Sequence, residues 1–284
     1  MNQRPEPAEG VLYVVGTPIG NLGDLSPRAK SILAKVSAVA CEDTRRSGRL
    51  LNQLGRQGPF FSFHQHNTQS QIPKILQLLR EGKSLALISD AGLPGISDPG
   101  ETLVASARME GHDVICIPGP CAATTALVSS GIPSSRFCFE GFLPTKNSER
   151  RRRLGVLAKE ERTTIIYEAP HRLLKLLEEL IEFCGEERPL QVSRELTKKY
   201  EHHIGPNIAA ALEHFTTNKP IGECTLVLGG HTPTIPQEES DEDLKSQLEL
   251  LIKKGVSSTE AAKIIAEKSR KSKRYLYDLI HRKA

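Results

Sequence analysis

The sequence has no apolar run approaching the roughly 18 residues of a membrane span, and its opening segment MNQRPEPAEG is polar, without an apolar targeting region. A cytoplasmic protein without membrane contact is expected. Cysteine pairs at Cys-x-x-Cys spacing are missing too. Cys41, Cys116, Cys121, Cys138, Cys184 and Cys224 lie scattered, mostly inside apolar runs, which argues against a zinc ribbon or redox pair and for reduced, mostly buried thiols. A strong net charge is also lacking: +4 over 284 residues, with a pI near 8.7, does not by itself demand a polyanionic partner. The glycine-rich stretch at residues 16–23, GTPIGNLG, lacks the Gly-Lys-Ser/Thr ending of a P-loop and the spacing of G-x-G-x-x-G, so a phosphate grip does not follow from it. A backbone cradle for a substrate stays open.

With 38% hydrophobic and 25% charged residues, the chain is an ordinary globular sequence, long enough for two domains and a small appendage. Apolar runs at 11–15, 38–41, 60–63, 85–89 and 114–117 alternate with helix-period segments at 27–35, 44–54, 69–81, 101–110 and 122–130, which predicts a parallel α/β domain over 11–130. Ser26 followed by Pro27 supplies a cap and a proline at the first helical position. A second series follows, with strands expected at 137–141, 163–167, 190–193, 201–204 and 224–228, completing an α/β domain over 131–232. Within it, residues 170–183 place Leu173, Leu174, Leu177, Leu180 and Ile181 on one helical stripe. The stretch 231–243 is rich in proline and acid, has no periodicity and reads as a linker. A basic helical module over 240–284 comes last, with helices at 243–254, 258–268 and 273–282, read either as a helix-turn-helix-like unit or as a capping or dimerisation bundle.

Two glycine- and proline-rich turns, ISDAGLPGISDPG and IPGPCAATTAL, each follow a short run that reads as a strand buried on both faces. In open α/β sheets ligands bind beyond the carboxyl ends of the strands, so these turns mark a ligand cleft, with Gly92, Gly95, Gly100 and Gly119 letting backbone approach the ligand. Charge is unevenly distributed. Lys146 precedes arginines at 150, 151, 152 and 153, and the end of the chain carries Lys268, Arg270, Lys271, Lys273, Arg274, Arg282 and Lys283 against Asp278. Each cluster alone reads as a solvated helix face; both together favour a nucleic-acid partner. His64 and His66 form an H-x-H pair, but no third ligand is placed by sequence and no metal is expected; His171, His202 and His203 read as polar packing or RNA contacts.

VGTPIGNLGDLS, CEDTRR, SDAGLPGISDPG, IPGPCAATTAL, GFLP, YEAPHR, SRELTKKYE and IGECTLVLGG, in this order from about Val11 to Gly230, closely resemble the tetrapyrrole methylase superfamily, and within it the branch acting on small-subunit ribosomal RNA. The resemblance implies a class III methyltransferase fold, two α/β domains with a helical appendage, that holds S-adenosyl-L-methionine between the domains and works as a homodimer. It further implies 2′-O-methylation of a cytidine ribose in the decoding centre of 16S RNA, with naked RNA or a 30S particle as partner. Carried onto this chain, cofactor contacts fall on Asp90, Ala91, Gly92 and Leu93, on Ala122 and Thr125, on Tyr167 and Glu168, and on Pro220, Ile221 and Gly222. Where many relatives carry Gly-Asp-Pro, this chain has Ser89-Asp90-Ala91.

Asp90 is read either as an acceptor for the cofactor's ammonium or ribose hydroxyl or as a cap on the adjacent turn. Glu42, Asp43 and Glu195 are the candidate general bases, and Arg45, Arg46 and Arg194, with Lys146, Arg150, Arg151, Lys271, Lys273 and Arg274, the candidate RNA contacts; for the carboxylates and for Arg45, Arg46 and Arg194 a surface or interdomain ion pair is the alternative. A tetrapyrrole (precorrin-type) C-methyltransferase and a non-catalytic ribosome-assembly factor are the rival functions. The basic clusters, unnecessary for a tetrapyrrole, favour RNA.

Overall fold

The computed structural model describes residues 5–232, 240–269 and 271–281, and the chain forms two compact units, residues 1–231 and 232–284. Arg270, Arg282, Lys283 and most of the expected linker lie outside the described residues. Among those described, no helix is long and apolar enough to cross a membrane.

The larger unit contains two five-stranded sheets. The first comprises β1 (Leu12–Val15), β2 (Ala38–Cys41), β3 (Phe60–Ser62), β4 (Leu85–Ile88) and β5 (Val114–Ile117), in the order β3-β2-β4-β1-β5 and parallel throughout. Parallel pairing needs crossovers, supplied by α1 (Pro27–Lys35), α2 (Thr44–Gln53), α3 (Thr68–Arg80) and α4 (Gly100–Met109). The predicted Ser26 cap is present, its side chain accepting from the Ala29 N–H. Strand alternation sends Val11, Tyr13 and Val15 into a core with Ile32, Leu33 and Leu51, while Leu12 joins Ile75, Leu79 and Leu103 on the opposite face. Each such leucine, fully buried, contributes roughly 1.5–3 kcal/mol. The expectation of burial on both faces holds for β4 but fails for β5: it pairs only with β1, and as an edge strand it leaves Cys116 exposed.

The second sheet has the order β6-β7-β10-β8-β9, formed by β6 (Phe137–Phe142), β7 (Thr163–Glu168), β8 (Leu190–Arg194), β9 (His202–Ile204) and β10 (Cys224–Leu228). Only β6 and β7 run parallel. One face is covered by α6 (Asn147–Leu157), α7 (Pro170–Cys184) and α8 (Ile208–Thr217), whose apolar side chains bury against Ile166, Val192 and Leu226. The other face receives α5 (Ala122–Ser130), where Ala123, Ala126 and Leu127 meet Ile165 and Val227. Because α5 follows directly on β5, this contact places the loops at the carboxyl end of the first sheet against β7 and β10 of the second.

The smaller unit is a three-helix cluster of α9 (Asp241–Lys253), α10 (Ser258–Lys268) and α11 (Lys273–His281) around Leu244, Leu248, Ala261, Ala262, Ile265 and Leu276. Ser240 and Ser257 cap α9 and α10, and the Tyr275 hydroxyl donates to the Asp241 carboxylate at 2.7 Å.

Candidate active site

Three loops meet at the carboxyl ends of β1, β4 and β5. Thr17 and Gly92 exchange backbone hydrogen bonds of 2.9 and 3.1 Å, and the Thr17 hydroxyl donates to the Ser89 carbonyl at 3.3 Å. Gly16 lies against Gly119 so closely that a Cβ on either would sit 2.7 Å from the other's Cα. The absence of a side chain at Gly119 therefore serves loop-to-loop packing rather than ligand approach. Gly100 is similar, since a Cβ there would meet Asp98 Oδ1 and the Gly95 nitrogen, each at 2.9 Å. Gly92 and Gly95, both at φ +88°, do occupy the left-handed region that favours glycine.

Between these loops and the second sheet lies a cleft of about 370 Å³. Its lining includes the carboxylates of Glu42, Asp90, Asp98, Glu168, Glu195 and Glu223, the cations Arg46 and Lys198, and the apolar Ile19, Leu93, Leu196 and Phe142. Burial pushes the Glu42 carboxyl up, reinforced by the charges of Asp90 and Asp98. Burial likewise raises Asp98, opposed by the Gly95 and Gly100 N–H groups, which both donate to its Oδ1 at 2.7 Å. The excess of carboxylates suits a cationic ligand. Backbone strain also concentrates here: among the described residues, those other than glycine with positive φ are Ser97 (+59°) and Glu195 (+53°), which line the cleft, and Thr197 (+66°), beside the lining residues Leu196 and Lys198.

Of the expected cofactor contacts, Asp90, Ala91, Gly92, Leu93, Ala122, Tyr167 and Glu168 line this cleft. Asp90 accepts from the Asp43 N–H at 3.0 Å and pairs with Arg46 at 3.4 Å, so its carboxylate ties the β4 loop to the start of α2. The Tyr167 hydroxyl accepts from the Ala123 N–H at 3.1 Å, and burial raises its phenol. Thr125 stands on α5 outside the lining; Pro220, Ile221 and Gly222, just before β10, are outside it too, and their neighbours Glu223, Cys224 and Thr225 line the cleft. Of the candidate bases, Glu42 and Glu195 line the cleft, the latter paired with Lys198 at 3.0 Å; Asp43 does not, and its carboxylate caps α2 by accepting from the Arg45 N–H.

The expected RNA contacts divide. Arg45 and Arg46 are exposed on α2, Lys146 is exposed before α6, and Arg194 is half-buried opposite His202. Arg150 is a correction. Its side chain is only 4% exposed and bonds to Glu179 at 2.7 Å and Glu168 at 3.5 Å, because the inner face of α6 packs onto α7 and β7. A buried, doubly neutralised guanidinium offers nothing to a phosphate. Arg151 pairs with Glu182 and Arg153 with Glu140, leaving Arg152 as the member of the run with no carboxylate partner among the described residues. In the smaller unit Lys273 and Arg274 are exposed, and the Lys271 ammonium lies 5.6 Å from the Tyr275 ring centroid.

Sequence reasoning did not pick out Asp98, Lys198, Phe142 or Glu223. The motif ISDPG carries a signal for Asp98, since an aspartate before Pro-Gly is a turn former. The others come from segments that only the fold brings together.

A profile of the family described as Tetrapyrrole (Corrin/Porphyrin) Methylases matches residues 11–211. The chain is 47% identical over 270 residues, 95% of its length, to a Synechocystis protein named ribosomal RNA small subunit methyltransferase I, covering 97% of that protein. It is 45% identical to the Pasteurella multocida protein of the same name, covering 96% of this chain and 98% of the relative. Among solved structures, uroporphyrin-III-C-methyltransferase from Thermus thermophilus superposes with a TM-score of 0.55 at 21% identity, covering 78% of this chain and 94% of that one; the likeness is one of fold.

Proposed function

The chain belongs to the tetrapyrrole methylase family, and from that premise we propose that it methylates small-subunit ribosomal RNA from S-adenosylmethionine, at a cytidine 2′-hydroxyl in the decoding centre. The observation that carries the reading is the acidic cleft between the two sheets. Its volume falls in the range of small-molecule sites, and its carboxylates match a ligand bearing a sulfonium and an ammonium. Loop residues Asp90 to Leu93, with Ala122 and Tyr167, are the residues that would hold the cofactor, largely through backbone groups. When bound, the cofactor supplies a methyl carbon already attached to its leaving group.

The chain's own residues then have three tasks. Positioning the ribose is the largest, because holding reacting atoms at near-attack distance is worth roughly 7–11 kcal/mol. Removing the hydroxyl proton adds about 10²–10⁴-fold in rate, and Glu42 is our candidate base: it lines the cleft, and burial moves its pKa toward neutrality. Asp43, committed to capping α2, is set aside, and Glu195, bonded to Lys198, is given the role of orienting that lysine toward the RNA. Arg45, Arg46, Lys198 and Arg194 are assigned to the flanking phosphates. The reading includes a homodimer, for which the exposed Val128 and Met109 offer apolar surface.

The test is transfer of labelled methyl from S-adenosylmethionine to small ribosomal subunits that lack the modification. Labelled RNA yielding 2′-O-methylcytidine on digestion supports the proposal; bound but unlabelled RNA supports an assembly factor instead.

A further inference from the structure

Strand β6 is interrupted just before its end. Phe139 stands opposite Ile165, but Gly141 is opposite Ile166 and Phe142 opposite Tyr167, so residue 140 is extra, and Gly141 adopts φ +67°. In an uninterrupted strand residues 139 and 142 project from opposite faces. Across the bulge both rings reach the same partner: Phe139 and Phe142 lie 5.0 and 5.6 Å from the Tyr167 ring, tilted or edge-on. Tyr167 is itself fixed by its hydrogen bond from Ala123. Phe142 is thus aimed into the cleft on a rigid support, yet it stays 56% exposed, whereas the inner lining at Cys121 and Cys224 is buried. Two exposed cations, Arg46 and Lys198, line the same cleft.

An aromatic face held open beside exposed cations suits a flat ring attached to an anionic backbone. We propose that Phe142 is the stacking platform for a nucleobase of an unpaired nucleotide, turned out of its helix so that the ribose can enter the cleft. Sequence-tolerant stacking on aromatic side chains is how unpaired nucleotides are commonly held, and a base still stacked and paired in a duplex has no free face to offer an aromatic ring. The inference rests on the RNA reading above and adds the form of the substrate: an unstacked nucleotide rather than a paired one.

Phe142→Ala, Phe142→Leu and Phe142→Tyr variants test it. Alanine and leucine should lower kcat/KM for unmodified small subunits by roughly 5–150-fold, with tyrosine restoring most of the loss. S-adenosylmethionine affinity by calorimetry, melting temperature and molar mass by light scattering should not move. Leucine matching phenylalanine would overturn the proposal, a parallel fall in cofactor affinity would put the ring on the cofactor, and a change of mass would make it an interface between copies. A second arm reads stacking whether or not methyl is transferred. A single-stranded oligoribonucleotide carrying 2-aminopurine should lose fluorescence on binding the wild type and Phe142→Tyr but not Phe142→Leu; no quenching by the wild type refutes the stacking.

Discussion

Gly222 stands directly against the Glu195 carboxylate: a Cβ at residue 222 would overlap Glu195 Oε1, and the glycine sits at φ +79°. Residue 222, expected from the family resemblance to touch the cofactor, makes room for the acid that pairs with Lys198. Gly222→Ala is expected to destabilise by about 1–2 kcal/mol through its backbone and further through displacement of Glu195. Adding Glu195→Ala should relieve the second part, so denaturant unfolding of both single variants and the double variant should show coupling above about 0.5 kcal/mol. Strictly additive costs would contradict the close approach.

Arg150 behaves as a structural residue. Arg150→Met leaves Glu179 buried without its cation and Glu168 with Arg172 alone, and should cost about 3–5 kcal/mol in unfolding experiments. Arg152→Ala, at an exposed position, should change stability by less than about 0.5 kcal/mol. Equal losses of stability for the two would contradict the burial of Arg150.

Glu42 carries a pH signature. Its carboxyl is raised by burial and then by Asp90 and Asp98, so its contribution to stability is fully present below the unfolded value of about 4.3 and disappears as pH rises through the raised folded value. Glu42→Gln should therefore melt at the same temperature as wild type near pH 4 and above it near pH 8, while methyl transfer falls. A variant less stable than wild type at pH 8 would contradict this.

If the smaller unit grips RNA, Lys273→Ala/Arg274→Ala should weaken binding and reduce the slope of log affinity against log salt by roughly 0.7–0.9 for each phosphate the variant no longer neutralises. Filter binding over a salt series measures it. An unchanged slope would assign those exposed cations to solvent.

Much of this was legible in the chain. Alternating apolar runs identified the strands of both sheets, and the Gly/Pro turns after β4 and β5 located the cleft, because local patterning encodes both. The fate of Arg150 was not legible, since the glutamates that neutralise it lie on β7 and α7, 18 and 29 residues away. Lys198 and Phe142 escaped for a related reason: one reaches the cleft through a left-handed turn at Glu195 and Thr197, the other through a bulge. Gly100 and Gly119 looked like ligand-facing glycines, but close packing of chain on chain demands the same residue.

The most direct test of the central claim, that a sulfonium donor is held between the two sheets, is calorimetric titration of S-adenosylmethionine into wild type and Asp90→Ala. The expected result is one donor per chain for wild type and affinity at least about tenfold weaker for the variant, since a charge-assisted hydrogen bond is worth about 1.5–3 kcal/mol. No uptake by folded wild type would contradict it, and equal uptake by both proteins would remove the Asp90 carboxylate from the site.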